Sequence, residues 1–388
     1  MEGKGFETRA IRTQIEQSQH REHSAPLFLT SSFTFDDAEM GAALFAGEQQ
    51  GNLYSRFSNP NTDEFASKLA SLEGAEAGVA TASGMNAVFT TFAALLQAGD
   101  HIIAARAIFG NSTYILNEIL PKWEITCTFV DARNPEEWEA AVQPNSKLVF
   151  FETPTNPTLD LIDLEFVGAL CKKHNLVYTV DNCFATPYLQ RPSEYGADLI
   201  IHSATKWIDG QGRVLGGAIV GKAQYVDACY GFIRRTGPSM SPFNAWVLSK
   251  SLETLAVRMD RHCSNALAFA QALEKHPDVE RVIYPGLPSH PQHALAQSQM
   301  DAGGGMVSVV VKGGIERGRT ILNGLKIFSL TANLGDARSI ATHPASTTHS
   351  KTPKTTREAV GITDGLLRFS IGLETVADLI EDFNQACQ

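Results

Sequence analysis

The sequence contains no apolar run long enough to cross a bilayer, for which a helix needs about 18 such residues. Residues 1–9 also lack the apolar core of a secretory signal. Positive charge is not in excess either, because the formal net charge is -10. These absences argue against a membrane protein and against nucleic acid or an anionic membrane as a partner. We therefore expect a cytoplasmic protein.

Cysteine is scarce: the chain of 388 residues has six, and none of them forms a C-x-x-C pair. Their scattered positions give no disulfide framework, so reduced and mostly buried thiols are expected. His290 and His293 have the spacing of two metal ligands, but Pro291 lies between them and no acidic ligand is near. The sequence therefore predicts no metal centre.

The composition is typical of a globular protein, with 43% hydrophobic and 19% charged residues. Because the chain is too long for one ordinary domain, we divide it into an arm at 1–55, a large domain at 56–245 and a small domain at 246–388. The arm has little periodicity, yet residues 26–35 are largely apolar and aromatic. Such a segment either packs on another subunit or forms a pair of strands within the chain.

Short apolar runs alternate with helical patterns through the large domain, which predicts βαβ units and a mostly parallel sheet. The predicted strands are 101–105, 124–130, 147–151, 176–180, 198–202 and 215–220. The predicted helices between them are 110–120, 134–142 and 163–174.

The small domain has a different pattern. A long amphipathic helix is predicted at 243–274, followed by short strands and two helices that indicate an α+β arrangement. The strands are expected near 279–284, 305–311 and 366–371, and the helices at 315–324 and 375–386.

Lys206 is the centre of the functional prediction. It ends the segment Ser203-Ala204-Thr205-Lys206, which directly follows a predicted buried strand. Two hydroxyls and one amine at a strand's carboxyl end suit a ligand with both a phosphate and a carbonyl group, as in pyridoxal phosphate (PLP). Asp181 ends the preceding strand and could pair with the ring nitrogen of that ligand. Taken singly, Lys206 could be a surface lysine and Asp181 a helix cap.

Three further segments point to anion binding. Ser83-Gly84-Met85 forms a small-residue turn that opens a helix, and free N–H groups there suit a phosphate. Tyr54 and Arg56 could clamp an anion with a phenol and a guanidinium group. Arg368 interrupts an apolar strand, so it either points inward to a carboxylate or is a solvated residue of an edge strand.

In this order, the motifs strongly resemble the cystathionine γ-synthase-like family of PLP enzymes of cysteine and methionine metabolism. The resemblance extends from about Ser31 to Glu374. It implies an α/β protein of the aspartate aminotransferase-like fold type I, with a seven-stranded, mostly parallel sheet in the large domain. The smaller α+β domain would follow at the C-terminus. The matching segments are Tyr54-Ser55-Arg56, Ser83-Gly84-Met85, Thr155-Asn156-Pro157, Asp181-Asn182, Ser203 to Lys206, His343 to His349 and Arg368 to Glu374.

The resemblance assigns cofactor-binding roles residue by residue. Lys206 would hold PLP covalently and move protons, and Asp181 would pair with the ring nitrogen. The amides of Gly84 and Met85 and the hydroxyls of Ser203 and Thr205 would bind the phosphate. Tyr54 and Arg56 would complete that site from a neighbouring subunit, and a tetramer built as a dimer of dimers is expected.

Phe109 departs from the family pattern, in which a tyrosine stacks on the cofactor. Phenylalanine can stack but cannot transfer a proton. The segment Asn333-Leu334-Gly335-Asp336 resembles the form found in homoserine-ester sulfhydrylases, which methionine γ-lyases share.

The resemblance also implies the substrate. Asn156, Arg368 and Asn333 would bind an O-acyl-homoserine, with hydrosulfide or a thiol as the second reactant. O-succinyl-L-homoserine and hydrosulfide, giving homocysteine and succinate, are the preferred pair. Arg234 and Arg106 are predicted, from charge alone, to receive the second carboxylate of the succinyl group.

Four alternatives remain open at this point. Three are enzymes of the same family: cystathionine γ-synthase, O-acetylhomoserine sulfhydrylase and methionine γ-lyase. The fourth is a PLP-binding regulator without catalytic activity.

Overall fold

The large sheet has seven strands and is parallel except at one strand. In the computed structural model, which describes residues 1, 3–350 and 352–388, the strand order is β1-β7-β6-β5-β4-β2-β3. Strand β7 runs antiparallel to both of its neighbours. The strands are β1 Ala77–Thr81, β2 His101–Ala105, β3 Thr126–Val130, β4 Ser146–Glu152, β5 Val177–Asp181, β6 Leu199–Ser203 and β7 Gly217–Gly221.

The strands of the large sheet are mostly apolar and buried. Every residue of β2 and of β7 is buried. A parallel sheet enclosed in this way needs continuous apolar runs rather than alternation. This is why its strands could be predicted from the sequence.

A second sheet of five strands lies in the C-terminal part and encloses a core of its own. Its order is β10-β11-β12-β9-β8, and β12 is central, paired antiparallel to β9 and β11. The strands are β8 Val279–Ile283, β9 Met306–Val311, β10 Ser329–Leu330, β11 Ile340–Thr342 and β12 Leu366–Ser370.

Fifteen α-helices are found among the described residues. They are α1 Phe6–Arg12, α2 Ala38–Ala46, α3 Pro60–Glu73, α4 Gly84–Leu95, α5 Gly110–Tyr114, α6 Pro135–Ala140, α7 Leu164–His174, α8 Thr186–Leu189, α9 Ala223–Thr236, α10 Pro242–Leu252, α11 Leu255–Leu273, α12 His293–Gln299, α13 Gly314–Gly324, α14 Lys354–Ala359 and α15 Val376–Ala386. A π-helix at Ile115–Ile119 and a 3-10 turn at Leu120–Trp123 continue α5. None of the helices in the described part of the chain is long and apolar enough to span a membrane.

The predicted fold class is confirmed, but the prediction of one long helix is wrong. The segment predicted as a single helix at 243–274 forms α10 and α11, which are separated at Glu253 and Thr254. The guanidinium group of Arg258 donates a hydrogen bond to the carbonyl of Ser251 at 2.9 Å. It also donates to the carbonyls of Trp207 and Ile208, so the break meets the loop that follows Lys206. Helix α9 and the short strands β10 and β11 were not predicted.

The arm forms almost no sheet within the chain. An isolated antiparallel bridge joins Ser32 to Tyr54, in place of the pair of strands considered above. Several of the arm's large apolar side chains are exposed, and Leu29 is 71% exposed. The division at 55 and 245 stays a prediction, although the two sheets each have a core.

Candidate active site

The predicted cofactor and substrate residues meet in one cavity of about 290 Å³ at the carboxyl ends of β4, β5 and β6. Open α/β sheets bind ligands at this edge. Segment 332–334 and Arg368 bring the second sheet to the same cavity. Nine predicted residues line it: Gly84, Met85, Phe109, Asn156, Asp181, Ser203, Thr205, Lys206 and Arg368.

One end of the cavity has the properties of a phosphate site. Helix α4 begins at Gly84, and the hydroxyl of Ser83 caps it by accepting from the N–H of Asn86. A Cβ at Gly84 would lie 2.5 Å from the Cβ of Ser203, so only glycine lets the helix approach β6 this closely. Free N–H groups at the start of α4 therefore face a strand end that carries the hydroxyls of Ser203 and Thr205.

Asp181 is half-buried at the end of β5. Its Oδ1 accepts the N–H of Cys183 at 3.0 Å, and burial raises the pKa of its carboxyl to about 6. No lysine, arginine or histidine of the described residues forms an ion pair with it at 4.0 Å or less. A carboxylate in this position is costly without a cationic partner, which the protonated ring nitrogen of a cofactor could supply.

Lys206 extends into the cavity from the loop after β6. Its Nζ donates a hydrogen bond to Oδ1 of Asn333 at 2.7 Å. Burial is the main cause that lowers the pKa of Lys206, and the nearby Arg368 lowers it further. A lysine with a lowered pKa more readily loses its proton and acts as a base or nucleophile.

Arg368 lies in the central strand β12 and is buried, so it is not a solvated residue of an edge strand. Its Nη1 donates to Oδ1 of Asn156 at 2.9 Å, and its Nη2 donates to the carbonyl of Asn333 at 3.1 Å. Its Nε has no hydrogen-bond partner among the described residues. Because these partners are neutral, the guanidinium group keeps its full charge for a carboxylate ligand.

Five predicted residues do not line this cavity. Asn333 contacts Lys206 from beside it, and the other four lie apart from it. Arg56 stacks over the rings of Tyr54 and Phe57, and it donates a hydrogen bond to the carbonyl of Arg234. The guanidinium carbon of Arg234 lies 4.4 Å from the ring centroid of Phe57. These groups form a cluster of their own on the chain. Arg106 is half-exposed and pairs with Glu137 at 3.4 Å, so the structure does not bring it to the substrate residues.

Several lining residues were not predicted: Asn111, Ser112, Glu152, Cys183 and Thr348. Glu152 gives the clearest signal, because it ends an apolar strand with an acid, as Asp181 does. The cavity's donor set fits PLP: an amine of lowered pKa, a helix N-terminus with two hydroxyls, an unpaired carboxyl and the exposed ring of Phe109.

Comparison with known proteins supports the same cofactor. The sequence profile of a family described as Cys/Met metabolism PLP-dependent enzyme matches residues 7–388. The chain belongs to this family. PLP is therefore its cofactor, and its family acts in cysteine and methionine metabolism.

Relatives with different reactions are equally similar to the chain. It is 43% identical to O-succinylhomoserine sulfhydrylase of Pseudomonas aeruginosa, over 98% of this chain and 95% of the relative. It is 44% identical to L-methionine gamma-lyase of Porphyromonas gingivalis, over 97% and 96%. A solved structure of a putative O-acetylhomoserine (thiol)-lyase from Campylobacter jejuni has a TM-score of 0.95 and 34% identity, over 98% and 99% of the two chains. That structure carries N'-pyridoxyl-lysine-5'-monophosphate.

Proposed function

We propose that this enzyme replaces the γ-substituent of an O-acyl-homoserine, with O-succinyl-L-homoserine and hydrosulfide as substrates and L-homocysteine and succinate as products. This reaction would serve methionine biosynthesis. The sulfhydrylase relative in Pseudomonas aeruginosa supports it, as does a second one in Mycobacterium tuberculosis that is 43% identical.

The observation that carries the proposal is the phenyl ring of Phe109. The described residues that line the cavity include no tyrosine, so no phenol stands beside Lys206 as a proton donor. A carboxylate such as succinate leaves as a stable anion and needs no proton. A thiol, which methionine would release, is far more basic and leaves poorly without an acid. The cavity therefore favours an ester over a thioether substrate.

Lys206 has the central role in this scheme. We assign it covalent attachment of PLP and proton transfer from the α-carbon and the β-carbon of the substrate, because one amine can reach two adjacent carbons. When bound, PLP withdraws electrons from the α-carbon, and Asp181 favours this by stabilising a protonated ring nitrogen.

Arg368 and Asn156 are assigned to the α-carboxylate of the substrate. The 2.9 Å hydrogen bond between them fixes the guanidinium plane, and its unpaired Nε leaves a donor for the ligand. Asn333, which contacts both Lys206 and Arg368, would keep the amine and the carboxylate site in one arrangement.

The remaining cofactor contacts require a second copy of the chain. We assign Tyr54 and Arg56 to the phosphate bound by a neighbouring subunit, since on their own chain they lie outside the cavity. The exposed apolar side chains of the arm would be covered in the same contact. A homotetramer built as a dimer of dimers is the proposed assembly.

A product assay tests the reaction. Purified holoenzyme would receive O-succinyl-homoserine with either sulfide or cysteine, and methionine in a separate reaction. We expect homocysteine from sulfide, little cystathionine from cysteine and little 2-oxobutanoate from methionine. Mainly cystathionine would instead indicate a cystathionine γ-synthase, and a thiol with 2-oxobutanoate a methionine γ-lyase. The variant Phe109→Tyr restores the missing phenol and should raise methionine cleavage about tenfold or more, at the low end of general acid catalysis.

A second variant tests the acyl group. Arg234 and Arg56 lie together, so both could reach a neighbouring subunit's ligand. We expect Arg234→Ala to lower kcat/KM for O-succinyl-homoserine far more than for O-acetyl-homoserine. Arg106→Ala is the matched control and should affect neither ester, because Arg106 already pairs with Glu137 outside the cavity. Equal losses on both esters would remove Arg234 from this role.

A further inference from the structure

Glu152 is a buried acid that lines the proposed cofactor site, and the proposed function gives it no role. It ends β4 and lies in register with Asp181 at the end of the neighbouring strand β5. The two residues line the same cavity. No cation of the described residues lies within ion-pair distance of Glu152. Two carboxyl groups thus stand side by side where only one is assigned to the cofactor.

The hydrogen bonds of Glu152 join two loops of the active site. Its Oε1 accepts the backbone N–H of Asn156 at 3.0 Å. The backbone N–H of Phe109 faces the same carboxyl group and acts to lower its pKa. Phe109 follows β2, whereas Asn156 follows β4, so one side chain contacts the backbone of two loops of the site.

The pKa values of the two acids differ. Burial, and then the charge of Asp181, raise the pKa of Glu152 to about 8, whereas the pKa of Asp181 rises only to about 6. The other titratable groups nearby are Cys183, whose thiol is uncharged because burial raises its pKa, and Lys206. Glu152 therefore holds a proton more tightly than Asp181 does.

We propose that Glu152 is a positioning residue that holds the Phe109 and Asn156 loops in place. It is not a proton donor to the substrate. A carboxyl group suits this position because its oxygens can accept N–H groups from both loops. Its neutral form avoids a second negative charge beside Asp181. The role deepens the proposed function, although it depends on PLP binding alone and not on the identity of the substrate.

Two variants of the holoenzyme separate positioning from charge. Glu152→Gln keeps an acceptor oxygen and imitates the neutral acid, whereas Glu152→Ala removes the acceptor. We expect Glu152→Ala to lower kcat at least about tenfold, as misplacement of reacting groups does. Its bound cofactor should also give a weaker circular dichroism band in the visible range, because Phe109 is no longer fixed. Glu152→Gln should stay within about threefold of the wild type in kcat and keep the dichroism band.

Either of two results would overturn the proposal. Wild-type kcat and dichroism in Glu152→Ala would show that the contacts of the carboxyl group with the two loops do not matter. Equal losses in both variants would show that an ionisable group is required. If Glu152→Ala does not fold, Glu152→Asp takes its place: the shorter side chain cannot reach both N–H groups, and wild-type behaviour would count against positioning. The dichroism needs no substrate, so it decides this point even if wild-type enzyme does not use O-succinyl-homoserine.

Discussion

Lys68 and Lys206 are both shielded from solvent, Lys68 fully and Lys206 in part, but only Lys68 forms ion pairs with carboxylates. Lys68 in α3 is 0% exposed, and its Nζ lies 3.4 Å from Glu64 and 3.6 Å from Glu253. Lys206 donates to the neutral amide of Asn333, and no carboxylate of the described residues pairs with it. Burial lowers the pKa of both amines, yet the charges of Glu64 and Glu253 act against this at Lys68.

The two lysines differ in the charges that surround them. At Lys68 the carboxylates hold the proton on the amine, and Glu64 also accepts the hydroxyl of Ser249 at 2.6 Å, which ties α3 to α10. At Lys206 the neighbouring charge is that of Arg368, which favours the neutral amine. Burial alone therefore says little about reactivity, whereas the sign of the nearest charges says a great deal.

The largest expected effect is on activity at Lys206. Lys206→Met should lower kcat/KM about 10⁴-fold, the upper range for removal of a general acid–base, and the cofactor should no longer be covalently retained. Stability should change by only about 1 kcal/mol, because Asn333 loses one hydrogen bond. Kinetics and urea unfolding of the purified variant measure both. Substantial remaining activity would contradict the role given to Lys206.

The same substitution at Lys68 should have the opposite profile. Lys68→Met leaves Glu64 buried without its cation, whereas Glu253 keeps Lys250 at 2.6 Å, so the free energy of unfolding should fall by about 3 kcal/mol. kcat at 25 °C should stay near the wild-type value, because Lys68 does not line the cavity. Urea unfolding followed by tryptophan fluorescence measures the loss. A stable but inactive variant would overturn the comparison.

A smaller effect is expected from a variant that gives Lys206 a carboxylate neighbour, as Lys68 has. Asn333→Asp places a carboxylate where the amide oxygen now lies 2.7 Å from Nζ. The pKa of Lys206 should rise, and the acid limb of the pH–kcat profile should move up by about one pH unit. Asn333→Ala is the control: it loses the hydrogen bond but adds no charge, so its acid limb should not move upward.

The last expected effect concerns Glu152, an acid that, like Lys206, has no opposite charge nearby among the described residues. In the cofactor-free protein the pKa of Glu152 is raised from 4.5 to about 8. Its contribution to stability is therefore full below the unfolded pKa near 4.5 and is lost as pH rises toward 8. The free energy of unfolding should fall over this range in the wild type and fall less in Glu152→Gln. Urea unfolding at pH 5, 6, 7 and 8 measures the slope, and equal slopes would refute the expectation.

The sequence predicted the parts of the site that lie next to strand ends. Lys206 and Asp181 each follow an apolar run, and the carboxyl ends of parallel strands meet at one edge of the sheet. Glu152 carries the same signal, but the sequence did not assign it a role. Arg106 was chosen for its charge, and charge in a sequence does not reveal the partner that Glu137 supplies.

Apolar periodicity did not predict contacts between distant segments, and only the resemblance assigned Asn156 and Arg368 to one ligand. Arg368 and Asn156 are 212 residues apart, and they meet because one lies in the small sheet and the other beside the large one. The break between α10 and α11 was missed for a similar reason. The segment has a helical pattern throughout, but Arg258 after the break donates hydrogen bonds to carbonyls of the distant loop that follows Lys206.

The sequence by itself predicted most strands of the two sheets and the positions of Lys206 and Asp181 after strand ends, because apolar periodicity and the residue at a strand end are local properties. Only the tertiary structure decided which charges face each buried group. Glu64 is one helical turn from Lys68, but Glu253 reaches it only because α10 packs against α3. Asn333 and Arg368 reach Lys206 only because the second sheet closes on the first. The reactivity of a buried amine depends on those neighbours, and folding alone brings them together.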